Sequence, residues 1–231
     1  MTRVFTDGAN LDQVRGALEN PLVSGLTTNP SLMAKSGITD YEGFSREVLT
    51  MASGKPVSIE VVADDLAGMH AQAKKIASWG DNAVVKIPVT TSSGVPTSEI
   101  LGPLAADGVQ LNVTAVFTLE QVKWTCDALA DGASGYISVF AGRIADTGVD
   151  PIEVVSPALE IMANYPTLEM IWASSRQVFD FYIAQSVGCH VITLTPDLID
   201  KLALRGKPLN QYSLETVQMF LNDARASRFD F

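Results

Sequence analysis

The chain has 231 residues, 47% of them hydrophobic and 18% charged, which is the composition of a globular protein with a large core. Its net charge of −10 argues against general nucleic-acid binding, which needs a surplus of basic residues, although a local basic pocket could still hold a small anion. Neither its two cysteines nor its two histidines show the spacing of metal ligands or of a nucleophilic triad, so we expect no metal site built from them. No cofactor is expected either.

The N-terminal segment carries Arg3 and Asp7 and lacks the apolar centre of a signal peptide. No uninterrupted apolar stretch approaches the length of a membrane span. We therefore expect a cytoplasmic protein with no membrane and no nucleic-acid partner, in which Cys126 and Cys189 are reduced. No linker or low-complexity tract divides the chain, so a single domain over residues 1–231 is predicted.

Short apolar, β-branched runs alternate with amphipathic stretches along the chain. The runs are predicted as strands buried on both faces, at Arg3–Asp7, Gly25–Asn29, Pro56–Val62, Ala83–Val89, Gln110–Phe117, Tyr136–Phe140, Leu168–Ser174 and His190–Leu194. Helix starts are predicted at Asp40, at Asp64 and Asp65, at Thr118 with Gln121 in capping-box spacing, at Asp150 with Pro151 and Glu153, and at Ser213.

Strand–helix units repeated in this way over 231 residues predict an α/β fold, a single (β/α)8 TIM barrel with an extra C-terminal helix at about 213–226. The competing interpretation is an open, doubly wound sheet. That fold would place a glycine-rich fingerprint after the first strand, and Thr6-Asp7-Gly8-Ala9-Asn10 is not one. The sequence therefore favours the barrel.

Polar side chains lie near the C-terminal ends of most predicted strands, which is the end where barrel active sites are found. Because side chains alternate along a strand, residues two apart share a face. The residues that share a face in this way are Phe5 with Asp7, Thr27 with Asn29, Ser58 with Glu60, Val84 with Lys86, Asn112 with Thr114, Ser138 with Phe140, and Trp172 with Ser174.

Lys86 is the most informative of these residues, because it interrupts the apolar run from Ala83 to Val89. A lysine is rarely buried without a partner. One interpretation is structural, with the side chain extending from a strand end to pair with Glu60 or Asp7. The other is chemical, because a desolvated lysine loses its proton more readily and its free amine can form a Schiff base with a carbonyl compound. The residue alone does not decide between the two.

Asp7 and Glu60 are candidate proton carriers for such chemistry. Schiff-base formation moves protons onto and off the carbonyl oxygen and the substrate hydroxyls, and two carboxylates in different environments can divide that work. The structural alternative is that each acid caps a helix or pairs with Lys86. Asp7 could also accept hydrogen bonds from the amides of the following turn.

Arg143 and Arg176 follow the sixth and seventh predicted strands. Arg176 comes directly after Ser174 and Ser175, where a helix start is predicted, and a helix N-terminus with serines and an arginine is suited to phosphate. The alternative is a surface arginine paired with an acid such as Asp146. Two arginines after adjacent strands favour the phosphate interpretation.

Local motifs along nearly the whole chain resemble those of the transaldolase family, and in particular its short branch, which includes fructose-6-phosphate aldolase. They occur in the family's order and are Phe5-Thr6-Asp7, Leu26-Thr27-Thr28-Asn29-Pro30-Ser31, Ser58-Ile59-Glu60-Val61, Val84-Val85-Lys86-Ile87-Pro88-Val89-Thr90, Asn112-Val113-Thr114-Ala115-Val116-Phe117, Ser138-Val139-Phe140-Ala141-Gly142-Arg143-Ile144-Ala145-Asp146 and Ala173-Ser174-Ser175-Arg176.

The resemblance implies a metal-free, class I mechanism on sugar phosphates. Lys86, on the fourth strand, would attack the ketone of a ketose phosphate, and Asp7 would take the proton of the C4 hydroxyl as the C3–C4 bond breaks. Glu60 and Thr114 would hold a water that moves protons. The implied substrate-binding residues are Asn29, Asn112 and Ser138 at the dihydroxyacetone hydroxyls, Arg143, Ser174 and Arg176 at the phosphate, and Thr27 and Phe140.

Within this branch, a transaldolase passes the dihydroxyacetone unit to an aldose phosphate, whereas the aldolase releases it as free dihydroxyacetone. The chain is similar to the transaldolases in having Glu60, Asn112, Phe140 and Arg176. The aldolase typically has Gln in place of the glutamate, Tyr in place of the phenylalanine and Lys in place of the arginine. The resemblance therefore implies a transaldolase, with the aldolase as the alternative.

Two departures from the family pattern bear on the natural substrate. The segment Thr91 to Ser98 is longer than usual for the short branch and, beside the barrel mouth, could alter the acceptor that is used. Ser175 stands where an aromatic residue is common. A transaldolase-like enzyme specialised for an unusual sugar phosphate is therefore a further alternative.

The C-terminal residues bear on assembly. Phe229 and Phe231 follow the last predicted helix and suggest packing against another surface. The resemblance implies a homo-oligomer, a pentamer or decamer in which the C-terminal helix reaches a neighbouring subunit. The alternative is that the segment docks on its own barrel.

Overall fold

A computed structural model describes residues 1–8, 10–28 and 30–227, with the side chain of Leu32 excepted. The contacts divide the chain into two compact units, Met1–Ile199 and Asp200–Phe231, which are described separately. The predicted single domain and the predicted oligomer both stay predictions.

The first unit is a closed barrel of parallel strands in the order β1 to β8, with β8 pairing back onto β1. The barrel prediction is confirmed. The strands are β1 Arg3–Asp7, β2 Val23–Thr27, β3 Val57–Glu60, β4 Ala83–Pro88, β5 Leu111–Val116, β6 Gly135–Val139, β7 Leu168–Trp172 and β8 Val191–Leu194.

Helices follow the strands, as the alternating pattern predicts. They are α1 Leu11–Glu19, α2 Pro30–Lys35, α3 Tyr41–Met51, α4 Leu66–Ala77, α5 Ser98–Ala106, α6 Leu119–Leu129, α7 Ala141–Asp146, α8 Ile152–Met162, α9 Phe179–Ser186 and α10 Pro196–Lys201, the last continuing into a short 3-10 helix at Leu202–Leu204.

The predicted helix starts hold where a side chain caps the first turn. Asp40 accepts a hydrogen bond from the amide of Gly43, and Thr118 forms the full capping box with Gln121. At the start of α4 the cap is Asp65. The start at Asp150 is wrong by one residue, because Pro151 occupies the N-cap and Asp150 instead accepts from the amide of Ile152.

Two strand ends differ from prediction for backbone reasons. The seventh strand stops at Trp172 because Ser174 has a φ of +63°, which no extended strand can contain. The second strand begins at Val23, which pairs with Val4, and it ends at Thr27. Asn29, predicted at the end of that strand, lies outside the described residues. The remaining ends differ by two residues or fewer.

The strand register brings the central polar residues together. Glu60 on β3 stands opposite Lys86 on β4, and Lys86 stands opposite Asn112 on β5. Because facing residues on paired strands have neighbouring side chains, the register alone places a carboxylate beside the buried lysine.

The second unit contains the C-terminal helix, α11, which spans Leu209–Ser227. The predicted start at Ser213 is wrong, because the amide of Tyr212 already bonds to the carbonyl of Pro208, one turn earlier. Phe229 and Phe231 lie outside the described residues. Within the described part of the chain, no helix is both long and apolar enough to cross a membrane.

Candidate active site

A cavity of about 340 Å³ opens at the C-terminal ends of the strands. Its walls are Asp7, Thr27, Pro30, Ser31, Glu60, Lys86, Thr114, Ala115, Ser138, Phe140, Arg143, Ala173, Ser174 and Thr193. Most of the site residues predicted from the sequence are in this set. Of those that the structure describes, only Asn112 and Arg176 are not. The barrel therefore gathers side chains from distant parts of the sequence, such as Thr27 and Thr193, which are in contact although 166 positions apart.

The Lys86 side chain is buried, with 7% of the residue exposed. Its Nζ lies 3.0 Å from Oε2 of Glu60 and donates a hydrogen bond to the carbonyl oxygen of Thr28 at 3.2 Å. The sequence left Glu60 and Asp7 open as partners, and the ion pair is with Glu60. An ammonium group has three N–H donors, so these two contacts leave one donor for another partner.

Asp7 stands at the end of β1 beside this pair. Burial raises the pKa of its carboxyl above the usual range, more than the charge of Lys86 and a hydrogen bond from Thr27 lower it. That bond joins Oγ1 of Thr27 to Oδ1 of Asp7 at 3.2 Å, and the same hydroxyl lies 2.8 Å from that of Thr193. The two acids therefore sit in different environments, one paired with the lysine and one desolvated.

Thr193 is a site residue that the sequence reasoning missed. It lines the cavity from β8 and contacts Thr27. The available signal was the one used for the other strands, a polar residue near the C-terminal end of an otherwise apolar run.

The main chain around Glu60 is fixed from outside the barrel. The hydroxyl of Tyr41 donates to the carbonyl oxygen of Glu60 at 2.5 Å, and Oε1 of Gln72 accepts from the amides of Val62 and Ala63 at 2.8 and 2.9 Å. These bonds from α3 and α4 hold the segment that presents the carboxylate to Lys86. Neither contact was predicted.

Asn112 is not among the residues that line the cavity. It is fully buried, donates to Oγ of Ser58 at 3.0 Å and accepts from Oγ of Ser138 at 2.7 Å. Ser138 lines the cavity, and the role of Asn112 as a direct substrate ligand stays a prediction. Thr114 is also buried, yet its hydroxyl makes no hydrogen bond within the described part of the chain. This hydroxyl is available to a water or a substrate.

Arg143 supplies positive charge at the cavity wall. Its guanidinium carbon lies 5.5 Å from the centroid of the Phe140 ring, which in turn packs against Phe117 with centroids 5.7 Å apart. The ring therefore supports the cation at the mouth.

The helix start predicted near Arg176 is wrong. The α9 helix begins at Phe179, and the amides of Arg176 and Gln177 are bound by the carboxylate of Asp180 at 2.7 and 3.3 Å. The Arg176 guanidinium is paired with Asp146, which is the alternative raised from the sequence. In this arrangement the amides are not free to bind an anion.

The longer segment after β4 does not line the cavity. Thr90 pairs with Pro96, and the amide of Ser92 donates to Oδ1 of Asp64 at 2.7 Å, so the segment is fastened to the loop after β3. Its predicted influence on the acceptor stays a prediction.

Comparison with known proteins agrees with this geometry. Residues 4–230 match the family model described as transaldolase/fructose-6-phosphate aldolase. This chain belongs to that family. It is 35% identical over 225 residues to a "probable transaldolase" of Nitrosopumilus maritimus, covering 96% of this chain and 94% of the relative. It is 36% identical over 224 residues to a "probable transaldolase" of Syntrophobacter fumaroxidans, covering 96% of each.

Solved structures outside the transaldolase family share the fold alone. One is a thiamine phosphate pyrophosphorylase from Pyrococcus furiosus, with a TM-score of 0.57 and 12% identity over 84% of this chain and 85% of that one. Another is KGPDC from Streptococcus mutans, with a TM-score of 0.57 and 10% identity over 84% and 88%. At these identities the likeness supports the barrel and carries no statement about activity.

His190, Cys126 and Cys189 lie outside the lining of the cavity of this transaldolase-family chain. Nδ1 of His190 accepts from the amide of Met170 at 3.0 Å, and burial lowers the pKa of this histidine. Burial raises the pKa of the Cys126 and Cys189 thiols to about 12, so both stay protonated near neutral pH. Within the described residues, no group of three or more His, Cys, Asp or Glu is placed to hold a metal ion.

Gly142 provides a direct test of how tightly the segments after β6 and β7 pack beside the cavity. A Cβ at this position would lie 1.7 Å from the carbonyl oxygen of Ser174, far inside van der Waals contact. We expect Gly142→Ala to force the segments after β6 and β7 apart, lowering the melting temperature by several degrees or more and raising the KM for phosphorylated substrates. Thermal unfolding and steady-state kinetics measure both effects.

Gly16→Ala is the matched control. Gly16 lies inside α1 and a Cβ there would meet nothing within 4 Å, so the exchange is expected to raise stability by about 0.5–1 kcal/mol without changing KM. Equal thermal stability and equal KM in Gly142→Ala and the wild type would contradict the packing described here.

Proposed function

We propose that this chain is a class I transaldolase that forms a Schiff base through Lys86. It takes a dihydroxyacetone unit from a ketose phosphate such as fructose 6-phosphate or sedoheptulose 7-phosphate and passes it to an aldose phosphate. The observation that carries the proposal is a buried amine at a barrel mouth, 3.0 Å from one carboxylate and beside a second, desolvated one. Membership of the transaldolase/fructose-6-phosphate aldolase family supports it.

Schiff-base formation begins with proton transfer from Lys86 to Glu60, which already share a 3.0 Å contact. The free amine adds to the substrate ketone, forming a carbinolamine. Glu60 then returns a proton to the carbinolamine hydroxyl, which leaves as water while the iminium forms. We assign a water to the space between Glu60 and the Thr114 hydroxyl, which has no hydrogen-bond partner among the described residues, and this water takes part in the proton exchange.

Cleavage of the C3–C4 bond uses the second acid. Asp7 takes the proton of the C4 hydroxyl, the electrons of the C3–C4 bond move into the iminium, and a dihydroxyacetone enamine stays on Lys86 while the aldose phosphate departs. The raised pKa of Asp7 suits this role, because a general base works best when its pKa approaches the operating pH. The reverse sequence delivers the enamine to the acceptor aldehyde.

The cavity walls support the binding roles. Ser138, oriented by Asn112, offers a hydroxyl to the dihydroxyacetone unit. Arg143 and Ser174 line the end where a phosphate would lie. Asn29 is assigned to the same unit as Ser138 by family resemblance alone.

Acceptor dependence separates this function from its alternative, an aldolase that releases free dihydroxyacetone. With fructose 6-phosphate as donor, we expect turnover to depend strongly on added erythrose 4-phosphate. Fast release of dihydroxyacetone without an acceptor would favour the aldolase. A lack of turnover with or without the acceptor would point to an unusual sugar phosphate, and a screen of donors and acceptors would then identify it.

Phe140 is expected to determine how much dihydroxyacetone is transferred to the acceptor and how much is released free. It lines the cavity without a hydroxyl, whereas the aldolase branch typically has a tyrosine there, whose hydroxyl helps to position the water that hydrolyses the bound enamine. We expect Phe140→Tyr to raise acceptor-independent release of dihydroxyacetone about tenfold or more, while transfer falls. An assay for dihydroxyacetone measures the first and a coupled transfer assay the second. Phe117→Tyr is the matched control, and equal release in both variants would contradict this role.

A further inference from the structure

Arg176 is paired with Asp146 and does not line the cavity that it is proposed to serve. Its side chain passes the start of α7, where a Cβ on Gly142 would lie 3.3 Å from Cγ of Arg176. Its guanidinium reaches Asp146, the last residue of that helix. Asp146 follows Gly142 by four residues, which is about 6 Å along the α7 axis. Among the described residues proposed for the phosphate, Arg176 alone does not line the cavity.

The main chain of Arg176 is fixed, so only its side chain is free to change position. Asp180, with 7% of the residue exposed, binds the amides of Arg176 and Gln177. Oγ of Ser175 donates to the carbonyl of Thr193 at 2.9 Å, and Ser174 is held at a φ of +63°. A guanidinium on a fixed backbone can alternate between two anions by rotating side-chain bonds alone.

The present partner of Arg176 is a weak one. Both side chains of the Arg176–Asp146 pair are about half exposed, at 49% and 52%, and exposed pairs of this kind contribute little stability. A phosphate dianion offers a guanidinium two parallel hydrogen bonds and more charge. The exchange of Asp146 for a phosphate ester is therefore favourable, whereas an uncharged sugar offers nothing to replace the pair.

We propose that Asp146 limits the affinity of the site for the substrate phosphate by competing with that phosphate for Arg176. This inference rests on the proposed function, because it assumes a phosphorylated sugar in the cavity. In the empty enzyme Asp146 neutralises Arg176 and holds it outside the mouth. A phosphate dianion, already attracted by Arg143, draws the guanidinium to itself, whereas unphosphorylated or weakly charged sugars leave it on Asp146.

Binding of inorganic phosphate tests the competition without relying on turnover. We expect Asp146→Asn to bind phosphate more tightly than the wild type, by roughly two- to fivefold at low salt, the range to which the strength of an exposed ion pair converts. Titration calorimetry at low ionic strength is the measurement. We expect Arg176→Gln to weaken binding and, once Arg176 is gone, Asp146→Asn to have no further effect.

The control is Glu153→Gln, which removes the same charge from an exposed position in the first turn of α8. The inference is wrong if Glu153→Gln raises phosphate affinity as much as Asp146→Asn does. It is also wrong if Asp146→Asn raises phosphate affinity equally in the Arg176→Gln variant. In either case the gain comes from the change in net charge. Unchanged or weaker binding in Asp146→Asn overturns it too, because Asp146 would then position Arg176 and not compete for it. Equal phosphate binding by the wild type and Arg176→Gln also overturns the inference. None of these outcomes bears on the chemistry at Lys86, which is tested separately.

Discussion

Replacing Lys86 by methionine is expected to abolish turnover, with kcat falling on the order of 10⁴- to 10⁶-fold, because losing a covalent nucleophile removes the reaction path itself. The buried amine at 3.0 Å from Glu60 is the only lysine of the described residues that lines the cavity. Steady-state kinetics with a ketose phosphate donor and an aldose phosphate acceptor measures the loss.

Lys86→Arg separates chemistry from folding. Removing Lys86 leaves the Glu60 carboxylate unpaired and mostly buried, so Lys86→Met also loses stability. Arginine keeps a positive charge beside Glu60 but stays protonated and forms no imine. We expect Lys86→Arg to be nearly as inactive as Lys86→Met and more stable, and thermal unfolding measures the difference in stability.

Lys74→Met is the control for both variants, because Lys74 lies on α4 and pairs with Asp107 at 2.7 Å on the surface. We expect it to keep wild-type kcat. Substantial activity in Lys86→Arg would contradict the role of Lys86 as the nucleophile.

Asp7→Asn is expected to lower kcat by about 10²- to 10⁴-fold and at the same time to stabilise the protein near neutral pH. The activity falls because asparagine cannot accept the proton of the C4 hydroxyl. The stability rises because burial, which raises the pKa of Asp7, opposes its charged form in the folded state.

The stabilisation of Asp7→Asn is expected to depend on pH. A carboxyl whose pKa is higher in the folded than in the unfolded chain contributes its full stability below the unfolded value, about 3.9 for Asp, and loses it as the pH rises through the folded value. Asn does not titrate. The melting temperature of Asp7→Asn should therefore exceed that of the wild type at pH 8, and the gap should close as the pH falls towards 4.

Asp12→Asn is the control, because Asp12 is an exposed residue in the first turn of α1. We expect it to show no stabilisation at pH 8. A gap between Asp7→Asn and the wild type that widens towards acid pH would mean that the folded state favours the charged form of Asp7, contrary to the burial described here.

The barrel and the centre of the site were predictable because both depend on strand periodicity. A β-branched run followed by an amphipathic helix recurs along the chain, and alternation within a run shows which polar residues face inward. Lys86, Glu60 and Asp7 therefore emerged from local sequence alone. Their pairing did not, because which acid contacts the lysine depends on the register between β3 and β4.

The segment around Arg176 was less predictable because its conformation is set by side chains distant in sequence. Asp180 binds the amides of Arg176 and Gln177, and Asp146 binds the guanidinium of Arg176 from 30 positions away. Ser174 is a non-glycine residue at positive φ, and serine has no preference for that conformation from which it could be predicted. The hydrogen bonds of Asn112 to Ser58 and Ser138 were not predicted either, because they join three different strands.

Borohydride trapping tests the Schiff base most directly. With fructose 6-phosphate present, reduction is expected to leave a covalent three-carbon or six-carbon adduct on Lys86, found by peptide mass spectrometry, and no adduct in Lys86→Arg. An adduct on another lysine, or an unmodified Lys86 in protein that turns over fructose 6-phosphate, would contradict the mechanism.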